Sequence, residues 1–213
     1  MNKPFKNQDM NRMDALLIID VQNDFIPGGS LAVPGGEEIV PVINGLIDRF
    51  DLVLATQDWH PQNHMSFASN HKGKKPFEQI VHQDLDQILW PDHCVQGTSG
   101  AAFHPNLKTN AIEAIIRKGM DPDIDSYSGF YDNGHKKSTG LTGYLKEKGS
   151  PVLYCCGLAA DVCVYFTIKD ALKEGFKVKL IADATRALDE EKFAEMVEEL
   201  KGLGMESVLS ESL

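Results

Sequence analysis

The stretch Val152-Leu-Tyr-Cys-Cys156, leading through Gly157-Leu-Ala-Ala into a helical run from Asp161 to Glu174, decides the fold class. Gly175 stops that helix, and Lys177 to Ala182 follows as a second strand. A short apolar run with no polar alternation belongs to a strand buried on both faces. The same grammar continues outward. Towards the N-terminus lie a strand at Ala15-Leu-Leu-Ile-Ile19, a helix from Glu37 to Phe50, and a strand at Leu52-Val-Leu-Ala-Thr56. A third strand is predicted at Ala111 to Ile116, followed by a helix from Ser138 to Lys148 that ends at Gly149. Towards the C-terminus come a helix from Asp189 to Leu200 and a short strand near Met205 to Leu209. Strands interleaved with helices imply a parallel sheet covered on both faces, a three-layer α/β/α, doubly wound domain with a mostly parallel sheet. Residues 1–213 read as a single domain, with 1–13 as a flexible N-terminal extension. Asp58 to Pro105 breaks the alternation. It is long, loop-like and rich in His, Pro, Asn and Gln, and its Trp59, Phe67, Trp90 and Phe103 favour an ordered, functional loop.

The chain has 213 residues, 42% hydrophobic and 24% charged, as expected of a globular protein able to bury a sizeable core. Its formal charge of −10 argues against nucleic-acid and anionic-membrane partners, both of which need a basic face. Lys72, Lys74 and Lys75 are the one short basic cluster. Met1 to Arg12 carries no apolar leader segment, and no run approaches the roughly 18 apolar residues that cross a bilayer, so a cytoplasmic location is expected. Cys94, Cys155, Cys156 and Cys163 contain no C-x-x-C pair and make a poor disulfide framework; reduced thiols are expected. The oligomeric state is left open, a homo-oligomer included.

In an open parallel sheet, ligands bind beyond the carboxyl ends of the strands. Those ends carry Asp20, then Asp58 with His60, then Arg117-Lys118, and finally Cys163 in the first turn of its helix. Each has an ordinary explanation: a packed thiol, a turn aspartate, a solvated lysine. Their convergence on one rim suggests more. A helix N-terminus and a nearby ammonium are expected to lower the pKa of Cys163 and favour its nucleophilic thiolate. Asp20 is placed to take the thiol proton and return it to a leaving amine. Backbone N–H groups between Leu158 and Cys163 are candidates for holding an oxyanion. Asp183 reads as structural, capping the turn before Thr185 and Arg186.

A second cluster is Asp58-Trp-His60, with His64 nearby and His93 within Trp90-Pro-Asp-His-Cys94. Alternate residues of an extended stretch project to one side, so Asp58 and His60 are placed to grip one cation, with His93 closing from the long loop. One carboxylate and two imidazoles leave positions open, as catalytic metal sites do. The competing reading is that loop histidines are surface residues; His71, His82, His104 and His135 have that setting.

Taken in order, Asp20-Val-Gln-Asn-Asp-Phe25, Thr56-Gln-Asp-Trp-His60, Trp90-Pro-Asp-His-Cys-Val95, Arg117-Lys-Gly119 and Gly157-Leu-Ala-Ala-Asp-Val-Cys-Val164 resemble the successive signatures of nicotinamidases, the metal-containing branch of the isochorismatase-like cysteine hydrolases. The resemblance runs from about Asp14 to Thr185. It implies deamidation of nicotinamide to nicotinate and ammonia in NAD salvage. Asp20 is then the base, Lys118 the charge-stabilising partner and Cys163 the nucleophile that forms a thioester. Asp58, His60 and His93 match the ligands of one divalent metal, zinc first, with iron or manganese as alternatives, which would bind the ring nitrogen. Phe25 and Trp90 match aromatics that sandwich the ring. The family also has a cis peptide before the residue matching Ala159, whose N–H joins that of Cys163 in the oxyanion hole. The chain departs from many relatives at Ala160 and Val162. His64 matches a further ligand of some members only. Met120 to Asn133 resembles the family's loop after the lysine, a candidate for closing the pocket.

Near alternatives are isochorismatases, which use no cysteine nucleophile, and metal-free amidases, which lack the histidines. Two histidines and a carboxylate also make the facial triad of non-haem iron oxygenases, but that reading expects a β-barrel and leaves Lys118 and Cys163 without a role. A non-catalytic binding protein on the same fold is a further alternative.

Overall fold

The computed structural model describes residues 14–213, so the extension expected for residues 1–13 lies outside the described residues. Eight strands are present: β1 Asp14–Ile19, β2 Leu52–Asp58, β3 Gln79–His82, β4 Leu85–Ile88, β5 Ala114–Lys118, β6 Val152–Gly157, β7 Val178–Thr185 and β8 Glu206–Val208. Four α-helices accompany them: α1 Ile39–Leu46, α2 Leu141–Glu147, α3 Tyr165–Lys173 and α4 Glu190–Gly202. Six strands form one sheet in the order β5-β2-β1-β6-β7-β8, and every pairing in it is parallel.

Alternation along the strands builds the three layers. Leu16, Ile18, Val53, Ala55 and Ile181 pack on one face with Ile39, Val40, Ile43 and Leu46 of α1. Ala15, Leu17, Ile19, Leu54 and Leu180 pack on the other with Leu141, Leu145, Ile168, Ala171 and Leu200. Among the described residues, no helix is long and apolar enough to cross a membrane.

The strand order decides where a ligand can sit. From β1 the chain moves to β2 and β5 on one side, then returns to β6, β7 and β8 on the other. The crevice beyond the carboxyl ends of β1 and β6 is thus the switch point of the sheet. Gly157 sits at the end of β6 with φ of +123°, and a Cβ there would lie 2.0 Å from the Ile19 carbonyl oxygen of β1. Only glycine allows the two strands to approach so closely at the mouth of the crevice.

Several boundaries differ from the sequence expectation. The third strand begins at Ala114, because Thr109–Ala111 form a 3₁₀ turn instead. The helix expected from Glu37 to Phe50 is split into a 3₁₀ turn, α1 and a second 3₁₀ turn. The helix expected from Ser138 starts only at Leu141, after Gly140 in a left-handed conformation. The run from Asp161 is first a π-helical turn, Ala160–Val164, and only then α3. The long segment is ordered as expected, with Phe67 and Trp90 buried, but it also contains the antiparallel hairpin β3–β4.

Asp183 is structural, although not as expected. It lies inside β7 and accepts hydrogen bonds from the Ser210 amide at 2.8 Å and from the Ser210 hydroxyl. It therefore ties the C-terminal turn to the sheet instead of capping the turn before Thr185. Asp183→Ala should cost about 1–3 kcal/mol of stability, read as a lower urea midpoint at unchanged slope; a midpoint equal to wild type would show that the tie is unimportant.

Candidate active site

Four strand ends deliver charged or nucleophilic groups to the crevice. Asp20 follows β1 directly in a left-handed conformation, with φ of 49°. Asp58 and Lys118 are the last residues of β2 and β5, and they are paired in the sheet register. Cys163 belongs to the π-helical turn after β6. All four are buried.

Lys118 joins them. Its Nζ lies 2.9 Å from Asp20 Oδ2 and 2.9 Å from Asp58 Oδ1, donates to the Ser126 carbonyl at 3.1 Å, and stands 3.5 Å from Cys163 Sγ. Burial opposes charge on this lysine, but the two carboxylates outweigh it and hold its pKa well above the ordinary value. Burial raises Asp20, with Lys118 pulling it down and Asp58 pushing it up, so it is a stronger base than an exposed carboxylate. Thr56 Oγ1 donates to Asp20 Oδ1 at 2.7 Å and fixes its orientation.

Cys163 corrects an expectation. Burial pushes its thiol well above the ordinary value; Lys118 acts downward, but Asp20 and Asp58 act upward with burial. The single ammonium is already shared between two carboxylates, so a thiolate would be a third anion around it. Burial therefore works against the thiolate, and a base beside the thiol would favour attack by its sulfur. Cys94, Cys155 and Cys156 are buried free thiols as well, Cys155 pushed up to about 12.

The peptide between Leu158 and Ala159 is cis. Around it, the Ala160 amide donates to the Arg186 carbonyl at 2.8 Å, and those of Val162 and Val164 to the Ala159 carbonyl at 3.1 Å.

Asp58, His60 and His93 meet on the other side of Lys118. Their ligand atoms lie within 4.8 Å of one another, and all three residues are buried. Asp58 Oδ2 is 3.1 Å from His60 Nε2 and 3.5 Å from His93 Nε2. His60 Nδ1 meets the Gly119 carbonyl at 2.9 Å, and His93 Nδ1 meets the Pro91 carbonyl at 2.8 Å. A carbonyl only accepts, so each Nδ1 carries a hydrogen and each Nε2 faces the carboxylate; burial lowers the His60 pKa, but Asp58 outweighs it and raises it above the ordinary value. Two imidazole nitrogens facing one buried carboxylate make the mixed nitrogen and oxygen donor set of divalent-ion sites, and backbone support of the distal nitrogen is what metal-binding histidines use. The residues present therefore fit a divalent ion. Burial would raise Asp58, but His60 and Lys118 hold its pKa well below the ordinary range.

His64 is buried, with Nδ1 2.7 Å from Ser66 Oγ and no partner for Nε2 among the described residues. It forms a second possible ligand group with His60 and Asp125. Burial, then His60, lowers its pKa to about 4.

A narrow cavity opens onto both clusters, lined by Phe25, Trp90, His93, Tyr127, Ala159 and Cys163 among others. Of the candidates, Phe25, Asp58, Trp90, His93, Ala159 and Cys163 line this cavity; His60 and Lys118 touch Asp58, and Asp20 is joined to them through Lys118. The supporting residues were not foreseen. Gln22 clasps the backbone of Asp58, accepting from its N–H at 2.7 Å and donating to its carbonyl at 2.8 Å. Asp24 accepts from the Cys94 amide at 2.7 Å and so holds the loop that carries His93. Both polar residues lie in the quoted Asp20 to Phe25 motif, which was the available signal.

A fully parallel α/β sheet here carries a lysine, an aspartate and a cysteine at its switch point, where α/β enzymes bind their ligands. The chain belongs to the isochorismatase family: the model of the isochorismatase domain matches residues 14–212. A nicotinamidase of Acinetobacter baylyi is 52% identical over 175 residues, 82% of each chain. PnC1 from L. infantum, solved in complex with nicotinate, has a TM-score of 0.84 at 42% identity, with 95% of each chain covered. A pyrazinamidase of Pyrococcus horikoshii, solved in complex with zinc, has a TM-score of 0.76 at 38% identity, covering 92% of this chain and 99% of the other.

Gly119 has a φ of +66°, and a Cβ there would lie 2.3 Å from His60 Cε1. Gly119→Ala should displace the imidazole and weaken metal retention about tenfold or more. Metal analysis after dialysis checks this; a stoichiometry equal to wild type would contradict the assigned support of His60.

Proposed function

We propose that this chain is a nicotinamidase, a single-domain amidohydrolase that converts nicotinamide to nicotinate and ammonia through a thioester on Cys163. The observation that carries the reading is the Lys118 ammonium, ion-paired at 2.9 Å to Asp20 and 3.5 Å from Cys163 Sγ, beside a nitrogen- and oxygen-donor cluster on the same cavity. The named activity of the A. baylyi relative and the nicotinate held by the L. infantum protein support the substrate.

Asp20 takes the proton from the Cys163 thiol as Sγ attacks the carboxamide carbon. The amides of Ala159 and Cys163 receive the developing oxyanion, a contribution of about 3–4 kcal/mol per donor in other hydrolases. Lys118 stays charged throughout and compensates negative charge as it passes from carboxylate to sulfur. Collapse of the adduct breaks the C–N bond, and protonated Asp20 returns its proton to the departing ammonia. Asp20 then deprotonates a water that attacks the thioester, releasing nicotinate and restoring the thiol. Phe25 and Trp90 hold the ring between them. Asp58, His60 and His93 would hold one divalent ion, which supplies Lewis acidity at the ring nitrogen; zinc, present in the P. horikoshii neighbour, is the first candidate, with iron or manganese as alternatives. Nicotinate is a building block for nicotinamide nucleotides, so the role proposed is in NAD salvage, with the cytoplasmic location that the sequence leads one to expect.

Cys163→Ala should abolish ammonia release from nicotinamide while leaving the fold intact by circular dichroism; comparable turnover would refute the mechanism. Asp20→Asn should lose about three orders of magnitude or more, since an amide shuttles no proton. Benzamide, which lacks the ring nitrogen, should react far more slowly than nicotinamide, and equal rates would refute the role given to the metal cluster.

A further inference from the structure

The hairpin β3–β4 belongs to none of the groups described above, yet it sends one side chain inward. Gln87 on β4 is 4% exposed, in a strand whose other residues are half-buried or exposed. Its Nε2 lies 2.7 Å from the Ile88 carbonyl, 3.0 Å from Asp125 Oδ2 and 3.2 Å from the Tyr127 hydroxyl. A carbonyl and a carboxylate only accept, so the amide nitrogen must face them, which sets the orientation of the side chain.

Tyr127 is held from a second side. Its hydroxyl accepts from Trp90 Nε1 at 3.3 Å, and the two rings meet edge to face with centroids 6.2 Å apart. Between Asp125 and Tyr127 lies Ser126, whose carbonyl receives Lys118 Nζ. The tripeptide Asp125-Ser-Tyr127 thus supplies part of the cavity wall and an acceptor for the central lysine. Gln87 clamps it at both ends from a separate strand.

We infer that Gln87 is a positioning residue: by clamping Asp125 and Tyr127 it holds the Tyr127–Trp90 wall in register for an aromatic ring bound between that wall and Phe25. The inference rests on the proposed ring amide hydrolysis. Nothing in the geometry places Gln87 against the reacting atoms, so its loss should act on ring capture more than on chemistry.

The test measures kcat and KM for nicotinamide by ammonia release in wild type, Gln87→Met, Tyr127→Phe and the double variant. Gln87→Met keeps the length of the side chain and removes its donors; it should raise KM about tenfold while kcat changes less than about threefold. Tyr127→Phe should raise KM similarly, and the double variant should be no worse than about twofold beyond the worse single, because both remove one clamp. A folded Gln87→Met protein with wild-type KM would overturn the inference, as would multiplicative effects in the double variant. Should Gln87→Met fail to fold, a wild-type KM in Tyr127→Phe overturns it alone. Absence of turnover in the wild-type enzyme would instead refute the proposed function.

Discussion

One buried ammonium organises this protein. Lys118 Nζ is shared at 2.9 Å between carboxylates of Asp20 and Asp58, which arrive from β1 and β2, while Lys118 itself ends β5. A buried charge without partners costs several kcal/mol, and removing one member of such a group leaves the others uncompensated. The carboxyl ends of three neighbouring strands are therefore tied at one point. The pairing of Asp58 with Lys118 in the sheet register places both on the same rim, and the order β5-β2-β1-β6 puts Cys163 on its far side.

The same ammonium separates two kinds of chemistry. On one side stand Asp20 and Cys163, the pair to which the proposed mechanism gives the proton exchange, and both are raised from their ordinary values by burial. On the other, Asp58 stays ionised among His60 and His93. Two carboxylates that share a lysine thus take different roles because their remaining neighbours differ, a thiol and a threonine for one and two imidazoles for the other. Hydrogen bonds from outside complete the division: the Gln22 side chain on the backbone of Asp58, the Gly119 carbonyl on His60 and the Pro91 carbonyl on His93.

Much of this was legible in the sequence. Asp20, Asp58, Lys118 and Cys163 stand at the ends of strands whose apolar runs mark them clearly, and the parallel fold brings strand ends together. What resisted reading has physical reasons. The hairpin β3–β4 exposes Val81 and Gln79 and buries little but Gln87, so it carries no apolar period. Asp125 and Tyr127 lie in a loop with no periodicity, and their positions come from side-chain hydrogen bonds. The upward push on the Cys163 thiol is not legible in the sequence, because a helix start and a lysine are local features. Complete burial and two shared carboxylates are tertiary ones.

The central claim is that the Cys163 sulfur becomes covalently acylated. Rapid acid quenching during steady-state turnover of nicotinamide, followed by peptide mass spectrometry, tests it most directly. The account predicts a nicotinoyl group on the peptide that contains Cys163 and on no other. Sustained ammonia release with that peptide unmodified, or with the acyl group carried elsewhere, would contradict it.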